Sequence, residues 1–223
     1  MILSDEQIER YSRQIIVPGF GAGTQERLRT ARVAIVAAPA AAETAALYLA
    51  GAGVGHIAIH PAAEPRTYRR LVGRMNDLDA DVAVEIAAKD AEPAPGVGAD
   101  PVLALLGDAA AAAVAERLFR ARRPRSAILA RLDSPGRIAM LPAPPPCPLC
   151  ADAKLLSAIG DRAANAGVVA MVAVAECLRM LAGVGEMSGP RVIEFTGLAT
   201  RTAALTRRPS EGVAPARCAC ETP

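Results

Sequence analysis

The sequence predicts an α/β fold in which a mostly parallel sheet is flanked by helices and ends in antiparallel strands. Three observations carry that expectation. Short apolar, β-branched runs at Arg32-Val-Ala-Ile-Val36, Ile57 to Ile59 and Val102 to Leu106 alternate with helical stretches at Thr44 to Ala50 and Asp108 to Arg122, the pattern of strands buried on both faces between crossover helices. Glycines at positions 51, 53 and 55 separate the first helical stretch from the next strand, as a βαβ unit requires. Later, a Ser134-Pro-Gly136 turn sits between two apolar runs, the signature of a hairpin.

The elements follow in order. Ser4 with Gln7 three residues on resembles a capping box, and Asp5 and Glu6 fill the first turn, so a helix is expected to run to about Arg13. Gly19, Gly21 and Gly23 predict a loop, and Thr24 to about Leu28 a second short helix. After the first strand, Ala37 to Glu43 reads as a loop leading into the Thr44 to Ala50 helix. Pro61 to Arg74 is a Pro/Arg-rich connection, Val82 to Ile86 an alternating strand, and Pro93 to Pro101 a loop. Ser126 to Ala130 and Gly136 to Leu141 are the arms of the hairpin. Pro142 to Pro148 is stiff and extended, Ala151 to Ala164 is ambiguous, and Asn165 to Ala182 is a buried helix. Pro190 to Gly197 and Leu198 to Leu205 form a terminal hairpin, whereas Arg207 to Pro223 lacks any period.

Composition narrows the function classes. At 52% hydrophobic but only 3% aromatic, the core must pack many small aliphatic side chains at short range. A net charge of +2 gives no electrostatic case for nucleic acid or membrane partners. Every Lys or Arg position other than Lys89 and Lys154 is an arginine, which in an Ala-rich chain records genomic base composition rather than phosphate binding. The N-terminus has no basic or apolar region of a signal peptide, and Ala166 to Leu181 is interrupted by Glu176 and Arg179. The chain is therefore expected in the cytoplasm. Cys147 and Cys150, with Cys218 and Cys220, form two close pairs, a metal-site pattern in a reducing compartment. Cys177 lies in an apolar helix and reads as a small buried hydrophobe rather than a nucleophile.

Several motifs then point to one family. Leu3-Ser-Asp-Glu-Gln7, Arg10-Tyr-Ser-Arg-Gln-Ile15, Gly19-Phe20-Gly21 and Gln25 resemble the N-terminal signature of the ThiF/MoeB/HesA adenylyltransferases, the ubiquitin-like-protein activating enzyme fold. Ala46 to Gly55, Gly136-Arg-Ile, Cys147-Pro-Leu-Cys150 and Glu176 to Gly183 resemble further parts in the same order. The resemblance implies one Rossmann-like domain over residues 1–223, with a helical arm at 1–30, a nucleotide-fold core at 31–141, and a zinc-ligand and hairpin region at 142–223. It also implies a structural zinc on Cys147, Cys150, Cys218 and Cys220, although the second pair is one residue closer together than in relatives. His56 and His60 are weaker ligand candidates and read as ordinary strand-end residues.

Members of this family bind ATP and adenylate the C-terminus of a ubiquitin-like carrier. Phosphates are then held by backbone N–H groups at a Gly-rich turn, yet here that turn is Ala37-Ala-Pro-Ala-Ala-Ala-Glu43. The acidic residue expected to bind ribose is replaced by Pro61. Relatives' Asn-Leu-x-Arg-Gln element and following lysine are missing, leaving Arg69, Arg70 and Arg74 as imperfect phosphate ligands. Asp108 stands one residue late for the aspartate associated with Mg and catalysis, and serves equally as a helix N-cap. Arg13 matches the arginine that reaches across the dimer into a neighbouring ATP site, and equally fits an interface salt bridge. The expectation is a degenerate member that does not bind ATP, acting as a homodimer or as a heterodimer with an active paralogue on a ubiquitin-like carrier or peptide. The alternatives are a divergent adenylyltransferase and a cofactor-biosynthesis protein using the cleft for another ligand.

Overall fold

The computed structural model describes residues 3–88, 101–122, 126–141, 166–185, 189–196 and 199–204. The predicted capping box is formed: the Ser4 hydroxyl accepts from the Gln7 N–H at 3.3 Å, and the Gln7 side chain accepts from the Ser4 N–H at 3.1 Å. It starts helix α1, Asp5–Ile15, and α2 follows at Gly21–Thr30. Strand β1, Arg32–Ala37, leads to α3, Pro39–Gly51, and then to β2, His56–Pro61. A 3-10 turn at Pro65–Tyr68 runs into α4, Arg69–Leu78, and β3 is Ala83–Ile86. The rest comprises β4, Val102–Leu106; α5, Ala109–Arg122; β5, Ala127–Arg131; β6, Gly136–Leu141; α6, Ala166–Ala182; β7, Arg191–Thr196; and β8, Ala199–Ala204.

All eight strands join one sheet in the order β3-β2-β1-β4-β5-β6-β7-β8. Pairing is parallel from β3 through β5 and antiparallel from β5 through β8. The parallel core and both predicted hairpins are therefore present. One face, carrying Ile35, Ile59, Leu103 and Ile128, is buried with α3, α4 and α6; the other, carrying Val36, Leu106 and Leu129, is buried with α5. Ala41, Ala42, Ala45 and Ala46 of α3, and Ala111 and Ala115 of α5, supply the contacts, so the low aromatic content is met by helices lying close on the sheet. Among the described residues no helix is long and apolar enough to cross a membrane.

Two expectations are corrected. Helix α3 begins at Pro39, not near Thr44: Pro at the first turn is preorganised for a helix, and the alanines read as loop are strong helix formers. The connection Pro61 to Arg74 carries the 3-10 turn and most of α4, because Leu71 and Met75, one turn apart, are buried while Arg69, Arg70 and Arg74 are exposed. Pro142 to Pro148, Ala151 to Ala164 and Arg207 to Pro223 lie outside the described residues, as do positions 89–100 of the Pro93 to Pro101 loop region.

The N-terminal arm is fastened at the amino ends of the parallel strands. Tyr11, 1% exposed, donates its hydroxyl to the Asp79 carboxylate. Asp79 also accepts from the Asp81 N–H at 3.0 Å, and Asp81 accepts from the Gln7 amide at 3.0 Å and pairs with Arg29 at 3.2 Å. Burial, reinforced by Asp79, pushes the Tyr11 hydroxyl up to about 12. Gln25, fully buried, donates to the Ala52 carbonyl at 2.9 Å. The α3–β2 turn threads between these groups. A Cβ on Gly55 would lie 1.8 Å from the Arg29 carbonyl oxygen.

Gly55→Ala is therefore expected to lower stability by roughly 2–3 kcal/mol, because backbone rather than a flexible side chain must move. Gly23→Ala, in α2 with nothing within 4 Å of the new Cβ, is expected to raise stability by about 0.5–1 kcal/mol through helix propensity. Urea unfolding of the two variants checks both signs.

Candidate functional site

In a doubly wound sheet, ligands bind outside the carboxyl ends of the strands where the chain order reverses. Here β1 is flanked by β2 on one side and β4 on the other, so the crevice lies above Ala37 and Leu106, between the first turns of α3 and α5. On the α3 side no phosphate loop exists. Ala38 is the N-cap, extended at φ −62° and ψ 156°, with no side-chain hydrogen bond, and Pro39 opens the helix. The positive-φ glycines among the described residues are 19, 21, 53, 183, 185 and 189, none of them between β1 and α3.

On the α5 side, Asp108 is exposed, and its Oδ1 accepts from the Ala111 N–H at 2.8 Å. Its carboxylate thus caps α5. His60 and Pro61 end β2 in register with Val36 and Ala37; His60 is 8% exposed and shares the sheet face of Val36. His56 starts β2, at the far end. Arg69 and Arg70 are exposed on α4, and Arg74 is engaged by Glu43 of α3. The structure therefore does not gather the three arginines around the turn after β1.

Two features escape sequence reasoning. Tyr68 is 1% exposed; its hydroxyl donates to the Ala37 carbonyl at 2.9 Å and accepts from the Ala62 N–H at 3.1 Å, bridging the ends of β1 and β2. Burial raises its pKa above the ordinary tyrosine value, and the charge of Asp108 raises it further. At the end of β5, Arg131 and Asp133 form a buried bidentate ion pair, with Nε to Oδ1 at 2.9 Å. A tyrosine after a proline-led turn and an Arg-x-Asp spacing were the available signals, and both are common enough to pass unnoticed.

Arg13 is exposed in the last turn of α1, and no described carboxylate pairs with it. Its neighbour Gln14 donates to the carbonyl of Gly51, the last residue of α3, at 3.3 Å. Since α3 spans about 20 Å from the crevice to its far end, Arg13 stands away from the chain's own crevice. Cys177 is buried on α6, and burial pushes its thiol up to about 12, which suits packing and opposes nucleophilic use. No cluster of three or more metal-ligating side chains occurs among the described residues; Cys147, Cys150, Cys218 and Cys220 lie outside them.

No family model matches the chain. Protein HesA, vegetative, of Trichormus variabilis is 36% identical over 102 residues, covering 37% of this chain and 38% of that protein. The adenylyltransferase and sulfurtransferase uba4 of Aspergillus terreus is 54% identical over 57 residues, 26% of this chain and 12% of uba4. Over these stretches the chain is similar to members of the ThiF/MoeB/HesA family. Among solved structures, E. coli MccB with ATP superimposes with a TM-score of 0.67 at 16% identity, covering 90% of this chain and 72% of MccB. PaaA gives 0.62 at 15% identity, covering 92% and 84%. These two likenesses show the fold. The matched stretches span well under half of the curated relatives' length, and those relatives include proteins named as adenylyltransferases and sulfurtransferases.

Asp108→Ala is expected to cost about 1 kcal/mol of stability, with most of it recovered in Asp108→Ser, because a hydroxyl caps as well as a carboxylate does. Thermal unfolding of both variants measures this; equal losses would show that charge rather than capping matters at the position.

Proposed function

We propose that this chain is a non-catalytic member of the ThiF/MoeB/HesA family, acting as a binding or accessory subunit in a homodimer or in a heterodimer with an active paralogue. Its partner is a ubiquitin-like carrier or a peptide. The observation that carries this reading is the junction of β1 and α3. The helix starts two residues after the strand, through Ala38 and Pro39, without a positive-φ glycine. Side chains thus stand where phosphates need close backbone approach. Pro61 at the end of β2 offers no ribose acceptor, and Arg74 is committed to Glu43.

Hydrogen bonds to charged groups contribute about 1.5–3 kcal/mol each, so losing three of them weakens binding by about three or more powers of ten. Titration calorimetry with Mg·ATP is expected to show no binding below millimolar concentration, and pyrophosphate exchange with a ubiquitin-like carrier to stay at background. Micromolar binding would instead establish the divergent adenylyltransferase. Arg13, displaced from its own crevice, is the group that such a subunit would offer to a neighbouring one.

The same reading places a structural zinc on Cys147, Cys150, Cys218 and Cys220, four soft thiolates of the type zinc prefers. Purified protein is expected to contain one equivalent of zinc, lost on replacing Cys218 and Cys220 with Ser. Elemental mass spectrometry reads this directly, and a metal-free wild type removes the zinc from the proposal.

A further inference from the structure

Helix α4 is charged against its own dipole. Arg69 and Arg70 occupy its first turn and Asp77 its last, with no acid in the first turn and no base in the last, the reverse of what a helix macrodipole favours. Arg66 stands one turn earlier, in the 3-10 turn, four residues from Arg70, a spacing at which like charges repel. Packing does not require the three: α4 is seated by Leu71 and Met75, and Arg66, Arg69 and Arg70 are all exposed. Nor does the fold engage them. Among the described residues Arg27, Arg29, Arg74, Arg131, Arg179 and Arg191 each meet a carboxylate or a carbonyl, whereas Arg66, Arg69 and Arg70 have no ion pair or side-chain hydrogen bond. The backbone that displays them is fixed. The Thr67 N–H and hydroxyl both donate to the Glu64 carbonyl, at 3.0 and 2.5 Å, and the Tyr68 hydroxyl ties the turn to Ala37 and Ala62. The N–H of Arg69 is taken by the Arg66 carbonyl, so the cationic side chains, not the helix end, are what this surface offers.

We propose that Arg66, Arg69 and Arg70 form a docking surface for a carboxylate-rich peptide segment of a partner protein. Guanidinium forks pair with carboxylates bidentately, and three of them on a fixed backbone lose less freedom on binding than the same groups on a mobile loop. The patch lies on the connection after β2, at the same end of the sheet as the crevice. Charges that disfavour the free helix and that a partner's opposite charge would relieve are a local rule broken where binding can compensate it. The proposal rests on the binding-subunit reading for the existence of a protein partner, and adds the charge of the segment it recognises. A nucleic acid would need a wider basic surface, which a net charge of +2 does not supply.

The test uses the full chain and fluorescein-labelled hexaglutamate, read by anisotropy at low ionic strength. Wild type is expected to bind, and about 0.5 M salt to weaken the complex. Arg69→Glu/Arg70→Glu is expected to bind about tenfold or more weakly. Arg32→Glu/Arg201→Glu, an equal change in net charge at exposed positions outside the patch, is expected to stay within about twofold of wild type. Thermal unfolding separates lost docking from lost folding: Arg69→Glu/Arg70→Glu is expected to unfold at or above the wild-type temperature, since acids suit a first turn. A lower unfolding temperature, no binding by wild type, equal losses in the two variants, or tighter binding of labelled oligothymidylate than of hexaglutamate overturns the docking surface. Each of these leaves the non-catalytic reading standing, because that reading fails on Mg·ATP binding by wild type.

Discussion

The contact on which the arrangement of the first half depends is the buried bond between Tyr11 and Asp79. It joins an N-terminal helix to the turn before β3, across 68 positions in sequence, and both residues are nearly inaccessible to water. A buried carboxylate without its donor costs on the order of 1–3 kcal/mol or more. The groups around it are therefore held together: Asp81 by Gln7 and Arg29, Gln25 on the α3–β2 turn, Arg10 on the Leu78 carbonyl at 2.7 Å. Burial, assisted by the phenol–carboxylate bond, keeps Tyr11 protonated well past its ordinary titration range, so neutrality of the phenol is secured at any physiological pH.

The two ends of the parallel sheet consequently tell different stories. At the amino ends lie Tyr11, Gln25, Gly53 and Gly55, which belong to the motifs that resemble the family, and each has a packing reason to be there. Gly53 sits at φ +87° against the Gln25 amide and the Tyr11 ring, and Gly55 passes against the Arg29 backbone. At the carboxyl ends, where the resemblance implies glycines, an acid and a lysine, the chain offers Ala38, Pro39, Pro61 and a buried Tyr68. Family resemblance at one end of a sheet is thus compatible with the changed site proposed at the other, because the two ends obey separate constraints. Packing preserves the first; only ligand contact would have preserved the second.

This division also governs what could be read from the sequence. The capping box at Ser4, the strands of the parallel core and both hairpins were legible because their signals are local and periodic. The start of α3 was not, since its first turn stands where the family resemblance implies a phosphate loop, whereas helix propensity alone favours a helix from Pro39 onward. Helix α4 was hidden by its arginines, and only the burial of Leu71 and Met75 displays its apolar stripe. The Tyr68 bridge depends on which strand ends become neighbours, information that no local window holds. The absence of a clustering of Arg69, Arg70 and Arg74 follows from the same cause: their helix stacks on α3, and Glu43 takes Arg74.

The exchange at the carboxyl ends has an energetic direction. A phosphate loop built on glycines is held in conformations that carry high unfolded-state entropy, and each glycine in a position that could be helical forfeits roughly 0.5–1 kcal/mol relative to alanine. Sites of this kind are commonly maintained at the expense of stability. Replacing the loop by Pro39-Ala-Ala-Ala lets α3 extend to the strand end, and it buries Ala41 and Ala42 against the sheet. Tyr68 adds a buried ring beside it, and its hydroxyl satisfies the Ala37 carbonyl and the Ala62 N–H at the ends of β1 and β2. On the proposed non-catalytic reading, each of these features favours the folded chain. An alanine-built helix start and a buried tyrosine bridge at the same strand ends both fill space and satisfy backbone groups there without any ligand, so the folded chain does not depend on one at this end of the sheet.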